Sequence, residues 1–439
     1  MVSETAVNLT HSRVLKIALP IVISNATVPI LGAVDTGVVG QLGQAAPIGA
    51  VGIGAIILTG IYWMFGFLRM GTSGMAAQAH GAGMRAEVVA LLVRALIIGF
   101  GLGLCMIALQ VPMFWAAFMI SPASPEVEGL AREYMQIRVW SAPATIALYG
   151  VSGWLIGQGR TRAILVLQLW MNGVNIGLDL WFVLGLDWGV QGVAIATFIA
   201  EWSGLVLGLW LCRGAFGGGM WHDWVVVFDR TRLRAMALVN GDIMLRSFLL
   251  QAIFISFLFY GARFGDVTLA ANQILLQFLE ITAYALDGFA LAAEALVGQA
   301  LGARNRAGLR RAALLTSGWG LVWVLCLSVV FWLFGRGIID LMSTNDAVRD
   351  EARIYLVYMI LAPTIGMASW MLDGIFIGAT RTRDMRNMMA ISFGVYAVAI
   401  AVLMPLFGNH GLWAALLISF VARGVTLGLR YPALERQAS

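Results

Sequence analysis

Windows of about 20 apolar residues recur along the whole chain, and they constrain the fold more than any other feature of the sequence. A transmembrane α-helix needs about that length to cross the hydrocarbon core of a bilayer. Twelve windows are predicted to span: 15–40, 48–71, 88–111, 130–155, 163–186, 189–212, 238–261, 268–296, 312–335, 352–379, 385–407 and 411–431. Only 12% of the residues are charged, against about 25% in soluble domains. We therefore expect an all-α polytopic membrane protein with twelve transmembrane helices.

The basic residues are divided unevenly between the segments that connect these spans. Eighteen Lys and Arg residues fall on one side when the connections are assigned alternately, and five fall on the other. Because basic residues accumulate on the cytoplasmic side, both termini are predicted to be cytoplasmic. The net charge of +5 is then a consequence of topology. It does not indicate nucleic-acid binding, since the basic residues form no patch.

The two halves of the chain resemble each other weakly. The motif AAQAHGAG follows the second span and LVGQALGAR follows the eighth, so Gln78 corresponds to Gln299. We predict two pseudo-symmetric six-helix lobes and a cytoplasmic linker: 1–212 and 238–439 for the lobes, and 213–237 for the linker. Such repeats are typical of transporters in which two bundles rock around a central cavity.

The first span carries a carboxylate beyond a predicted bend. The segment Leu15–Gly43 contains Pro20, Pro29 and Asp35. Pro29 has no N–H to donate to the carbonyl four residues back, which favours a kink between Asn25 and Asp35. Pro20 and Pro29 are both predicted to be sites where the first span bends. A charge within hydrocarbon costs several kcal/mol, so Asp35 is expected to face a cavity and to serve as a proton-driven switch.

Polar residues of the fifth and sixth spans are predicted to join Asp35. Asn172, Asn175 and Asp179 are spaced three and four apart, so they share one helix face. A rise of ~1.5 Å per residue places Thr197 at a depth similar to that of the two aspartates. We expect no Lys or Arg near this cluster, so that the carboxylates hold a proton. The alternative is that the asparagines only hydrogen-bond between helices and that Asp35 caps a loop.

The second half has its own charged residues. Arg246, Asp287 and Asp373 are predicted to form a compensated structural network toward the cytoplasmic side. Glu280 lies nearer the middle of the membrane with no evident partner, so it is the second-half candidate for binding substrate or an ion. The sequence has no phosphate-binding loop, no metal-ligand cluster and no nucleophile–base pair at membrane depth. We therefore expect no enzyme, no metal and no cofactor, and transport driven by an ion gradient.

Five motifs spread over nearly the whole chain are similar to those of a known family: IALPIVISNATVPILGAVDTGVVGQLG, NGDIMLRSFLLQ, TAYALDGFALAAEALVGQALGARN, LDGIFIGATRTRDMRNMMA and GNHGLWAAL. The chain resembles the multidrug and toxic compound extrusion (MATE) transporters, in their DNA-damage-inducible F branch. The resemblance implies the MOP-type fold, in which two lobes open alternately to each side of the bacterial inner membrane. It also implies export of amphipathic, mostly cationic compounds against an inward flow of ions. Our leading hypothesis is that these ions are protons.

The resemblance further implies roles for particular residues. Asp35 falls on the family's helix 1 aspartate, where proton binding is thought to bend the helix, and Asp179 falls among the polar residues that surround it. Asp373 falls near an aspartate that sodium-coupled members use, but Arg246 as its partner leaves that role open. We expect a monomer whose partners are amphipathic cations, H⁺ and membrane lipids, with no nucleic acid.

Two alternatives stay open. The carboxylates together with Asn and Thr oxygens could form a shell for Na⁺, a hard cation. A lipid-linked precursor flippase would share the two-lobe architecture. It would need several Lys or Arg in its cavity, and of the basic residues within the spans only Arg246 and Arg138 qualify.

Overall fold

The computed structural model describes residues 9–41, 45–120 and 124–438, and every regular element in these ranges is a helix. The α-helices are α1 His11–Ala26, α2 Val28–Gly40, α3 Ala45–Met64, α4 Phe67–Gly81, α5 Arg85–Ala108, α6 Gln110–Ile120, α7 Pro125–Arg138, α8 Ala142–Gly157, α9 Thr161–Asp179, α10 Gly189–Leu211, α11 Arg213–Phe216, α12 Trp224–Val227, α13 Arg230–Gly261, α14 Asp266–Gly302, α15 Arg306–Met342, α16 Asp346–Gly378, α17 Thr382–Phe407 and α18 Asn409–Glu435. Within the described residues, eleven helical stretches are long and apolar enough to cross a membrane. When α1 and α2 are taken together as one further span, the helices agree with the twelve predicted spans. The all-α membrane fold is confirmed.

Several helices extend beyond the apolar windows that predicted them. The window 312–335 lies inside α15, which runs from Arg306 to Met342. Hydropathy reports only the part of a helix within hydrocarbon, whereas its backbone hydrogen bonds continue into the polar interface. Besides the first span, two predicted spans each consist of two helices in sequence, α3 with α4 and α7 with α8. A short 3₁₀ turn at Val139–Ser141 joins the latter pair.

The chain forms two compact units. The first unit comprises 23–79 and 84–236, and the second comprises the residues up to Val22, 80–83 and 237–439. These units differ from the predicted lobes because α1 packs with the second half of the chain. A Cβ added at Gly288 of α14 would lie 2.8 Å from the carbonyl oxygen of Ala18, so α1 and α14 are in close backbone contact.

The predicted linker packs against the first unit. Arg94 of α5 is only 2% exposed. It donates from Nε to the carbonyl oxygen of Val227 at 2.6 Å, and it also donates to that of Val226. Glu87 neutralises the buried guanidinium at 2.7 Å. A buried charge needs such partners, so these contacts attach α12 to α5.

The two units repeat the same close helix contacts. A Cβ added at Gly153 of α8 would lie 2.3 Å from the carbonyl oxygen of Arg69 of α4. A Cβ added at Gly374 of α16 would lie 2.3 Å from that of Ala290 of α14. The same contact recurs one turn later, for Gly157 on Ser73 and for Gly378 on Glu294. Each second-unit residue lies 221 positions after its counterpart, the offset that also relates AAQAHGAG to LVGQALGAR.

The turns before α9 and α17 follow the same repeat. Arg160 before α9 has φ −87° and ψ 48°, and Arg381 before α17 has φ −85° and ψ 49°. The preceding residues, Gly159 and Thr380, both adopt a left-handed conformation with φ of 70° and 51°. These pairs are also 221 residues apart, so α9 and α17 are counterparts from their first residue onward.

Candidate functional site

The first span is interrupted at Thr27, between α1 and α2. The hydroxyl of Thr27 donates to the carbonyl oxygen of Ser24 at 2.7 Å. Pro29 lies in the first turn of α2, where its missing N–H removes no intrahelical hydrogen bond. The interruption therefore falls in the predicted interval and beside Pro29. It does not fall at Pro20, because α1 continues through that residue while packed against α14.

The carboxyl groups of Asp35 and Asp179 lie within hydrogen-bonding reach of each other. Asp35 is on α2, about two turns beyond the interruption. Asp179 is the last residue of α9 and is 0% exposed. A π-helical turn, Leu180–Gly185, follows directly; such turns are frequent at functional sites. No sequence pattern indicated this turn.

The other predicted first-half residues surround this pair. Asn175 donates from Nδ2 to Asp179 Oδ2 at 2.9 Å and to the Thr197 hydroxyl at 3.4 Å. Asn172 donates to the hydroxyl of Thr27 at 2.8 Å. The structure thus brings together the predicted cluster, with Thr27 as an additional member. Asn172 ties the interruption in the first span to the polar face of α9.

Three oxygen atoms of this cluster are buried and accept no hydrogen bond from any residue that the structure describes: Asp35 Oδ1, Asn175 Oδ1 and Asp179 Oδ1. A buried acceptor without a donor costs about 1–3 kcal/mol, and more if it is charged. If one carboxyl group were protonated, its O–H would donate a hydrogen bond to the other carboxylate. A hard cation would instead use these oxygens as ligands. The arrangement therefore favours binding of a proton or a small cation.

An arginine lies nearer to the cluster than the sequence indicated. Arg138, at the end of α7, forms a buried ion pair with Glu201 of α10 at 2.6 Å. Its guanidinium is close enough to interact electrostatically with both Asp35 and Asp179. The prediction that no basic residue lies near the cluster is therefore wrong. Residue spacing within one helix does not show which neighbouring helix a side chain will meet.

The second unit contains a charged network in which an aspartate lies between two arginines. Asp373 is in direct contact with Arg246 and lies 3.8 Å from Nη1 of Arg423. Arg423 also donates to the hydroxyl of Ser369 at 2.8 Å. All three charged side chains are buried. The predicted pairing of Arg246 with Asp373 is present, and Arg423 is the partner that sequence reasoning missed.

The other two second-half candidates lie on α14. Glu280 is exposed and Asp287 is half-buried, and both interact electrostatically with Tyr284, which lies between them in the sequence. Glu280 has no ion pair among the residues that the structure describes. A role for Glu280 in substrate or ion binding stays a prediction, and so does the place of Asp287 in the structural network.

The carboxylate and amides of α9 have no acidic or amide counterparts at the same positions of α17. An offset of 221 residues places Phe393, Tyr396 and Ile400 at the positions of Asn172, Asn175 and Asp179. The two helices otherwise begin alike and occupy equivalent places in the repeat. The carboxylate and amides of α9 are therefore not a requirement of the shared fold, which points to a function specific to the first unit.

Comparisons with known proteins agree with this architecture. The MatE family model matches residues 20–181 and 243–403, one match in each half. The chain is 40% identical over 415 residues to DNA damage-inducible protein F of Escherichia coli (strain K12), covering 94% of this chain and 90% of the relative. It is 26% identical to a probable multidrug resistance protein NorM of Xanthomonas campestris pv. campestris, covering 96% and 93%.

Solved structures show the same fold. The Vibrio cholerae MATE transporter VcmN in its bent form matches with a TM-score of 0.86 and 19% identity, covering 98% of this chain and 97% of that one. An outward-facing multidrug resistance MATE family transporter matches with a TM-score of 0.80 and 21% identity, covering 97% of each. The family and the fold are those of transporters and not of enzymes. The chain belongs to the MATE family of multidrug and toxic compound efflux transporters.

Proposed function

We propose that this protein exports amphipathic, mostly cationic compounds across the bacterial inner membrane in exchange for protons that enter the cell. The observation that carries the proposal is the Asp35–Asp179 pair, two facing carboxyls on different helices with buried oxygens that no described residue satisfies. The sequence has no phosphate-binding loop, so an ion gradient would supply the energy. We further propose that the transporter acts as a monomer with both termini in the cytoplasm.

A proton on either carboxyl would link proton binding to the position of α2. The protonated group would donate to the other carboxylate and hold α2 against α9. With both groups ionised, like charges repel and α2 is released. Because Asp35 lies just beyond the interruption at Thr27, this movement would take place about that point.

Proton and substrate would compete for one region. The ionised pair attracts a cationic substrate, and protonation removes that attraction. A ligand shifts two conformations only by its differential affinity for them, so competition at this pair is what would couple proton entry to substrate release.

Sodium coupling is a second candidate, supported by the same three oxygens. Asp35, Asn175 and Asp179 each offer an acceptor without a donor among the described residues, and the Thr197 hydroxyl lies beside them. Carboxylate, amide and hydroxyl oxygens are suitable ligands for hard cations.

The test uses purified protein in liposomes loaded with a fluorescent cationic dye, under an imposed pH gradient and then under a sodium gradient. Dye movement driven by the pH gradient in wild type and lost in Asp35→Asn is the expected result. Asp187→Asn, in the exposed loop after α9, is the matched control and should transport normally. Normal pH-driven movement in Asp35→Asn would overturn the mechanism, and movement under the sodium gradient alone would favour the second candidate.

A further inference from the structure

We infer that Arg138 and Glu201 form a positioning pair that sets how acidic the medium must be to load the Asp35–Asp179 site. The inference rests on the proposed proton coupling. In this inference the pair does not contact the substrate or the transported proton. The pair acts through its electrostatic effect on the two aspartates.

The pair is fixed in place by contacts with several elements. Arg138 and Glu201 are each 7% exposed, and their side chains meet at 2.6 Å. Nη1 of Arg138 also donates to the hydroxyl of Ser141 at 3.2 Å. The carbonyl oxygen of Arg138 accepts from the Tyr62 hydroxyl of α3 at 3.2 Å. The guanidinium is therefore held at one position relative to the aspartates.

Helix α10 connects this pair to the acidic site. Glu201 lies one turn after Thr197, so both side chains project from one face of α10. Thr197 accepts a hydrogen bond from Asn175, and Asn175 donates to Asp179. One helix thus contributes both a hydrogen-bonded neighbour of the site and the counter-charge of Arg138.

Among residues 9–41, 45–120 and 124–438, the charged and titratable groups that interact with the pair or with the two aspartates come from six helices. They are Asp35 of α2, Tyr62 of α3, Arg69 of α4, Tyr134 of α7, Tyr149 of α8 and Asp179 of α9. Arg69 and Glu201 both act on Tyr149. Of the two arginines, Arg138 is the one that acts on both aspartates.

Glu201 leaves Arg138 incompletely satisfied. The Nε of Arg138 is buried and has no acceptor among the residues that the structure describes. Glu201 offsets part of the positive charge that the aspartates would otherwise experience. The proton affinity of the acidic site therefore depends on the balance between the two members of the pair.

This balance predicts opposite effects for the two single substitutions. Glu201→Gln removes the counter-charge, so the full charge of Arg138 disfavours protonation of the aspartates. The midpoint of the pH profile of transport should move down by about one pH unit, about a tenfold higher proton concentration, since one unit charge acts across the protein interior. Arg138→Gln removes the positive charge, so the midpoint should move up. The double variant should return near the wild-type midpoint.

The experiment measures dye transport in proteoliposomes as a function of pH for wild type, both single variants and the double variant. Glu87→Gln is the matched control, because Glu87 forms a buried ion pair with Arg94 at 2.7 Å in the same unit, together with a second one to the exposed Arg232 at 2.9 Å. It should lower thermal stability without moving the midpoint. A structural role for Arg138 and Glu201 would give the same pattern as Glu87→Gln.

If one of the two single variants fails to fold, the pH midpoint of the other is sufficient to test the inference. An unmoved midpoint in a folded single variant would overturn the inference, as would a shift equal to that of Glu87→Gln. Failure of the proposed function is separate, because wild type would then show no pH-driven transport, or Asp35→Asn would retain it.

Discussion

The charges around Asp373 distinguish a role in ion coupling from a role in holding helices together. The resemblance to sodium-coupled transporters leaves open a role in ion coupling. In the structure its carboxylate lies between Arg246 and Arg423, and all three side chains are buried. Two guanidinium groups around one carboxylate leave a net positive charge, which disfavours binding of a cation. The residue is therefore better suited to holding α13, α16 and α18 together.

Asp373→Asn should destabilise the protein strongly. The substitution leaves Arg246 and Arg423 buried without a counter-charge, and removing one partner of a buried ion pair typically costs about 3–5 kcal/mol. Thermal unfolding in detergent measures this loss. Asp384→Asn is the control, because its ion pair with Arg381 is only half-buried and should contribute less. Unchanged stability together with lost sodium-driven transport would instead assign Asp373 to ion coupling.

At the scale of the elements, the contact between α14 and α16 depends on small residues four apart. Gly374 and Gly378 place the backbone of α16 directly against the carbonyl oxygens of Ala290 and Glu294. In membranes, small residues at this spacing let helix backbones approach closely, and packing then supplies much of the association energy. The same pair of contacts joins α4 and α8 in the first unit, which is why the internal repeat persists at the structural level.

Gly374→Ala should be destabilising, because its new Cβ would lie 2.3 Å from a backbone carbonyl oxygen. Overpacking of this kind typically costs about 1–3 kcal/mol. Gly394→Ala in α17 has nothing within 4 Å of its added Cβ and should be neutral or slightly stabilising. Thermal unfolding of the two purified variants makes the comparison. Equal stabilities would mean that the helices separate easily at this contact.

For the whole molecule, the distribution of basic residues predicts an orientation in the membrane. Arg234 belongs to the predicted cytoplasmic side and Arg336 to the opposite one, and both side chains are exposed. Basic segments are retained on the cytoplasmic side during insertion. Their positions can therefore report the topology of the folded chain.

Arg234→Cys and Arg336→Cys should react differently with a membrane-impermeant maleimide on intact cells. The background replaces the three native cysteines, Cys105, Cys212 and Cys326, with alanine. Arg336→Cys should be labelled before lysis, and Arg234→Cys only after it. The reverse pattern would contradict the predicted orientation, and labelling of both before lysis would contradict their placement on opposite sides.

Local features of the chain were sufficient to predict much of the fold and part of the candidate site. Apolar length predicts spans because the bilayer requires it, and Pro29 predicts the interruption near Thr27 because it cannot donate a helix hydrogen bond. The spacing of Asn172, Asn175 and Asp179 predicts a shared face because the period of a helix is constant. Each of these inferences concerns one helix at a time.

Patterns along the chain were thus enough to predict the helical membrane fold, the internal repeat and the polar face of α9. The contacts of Arg138 with Glu201, of Arg423 with Asp373 and of α1 with the second half of the chain emerged only from the packing of the helices. Helix periodicity and hydropathy act along the chain, whereas these contacts join helices far apart in the sequence. Which faces meet depends on how all the helices pack together, and no single segment contains that information.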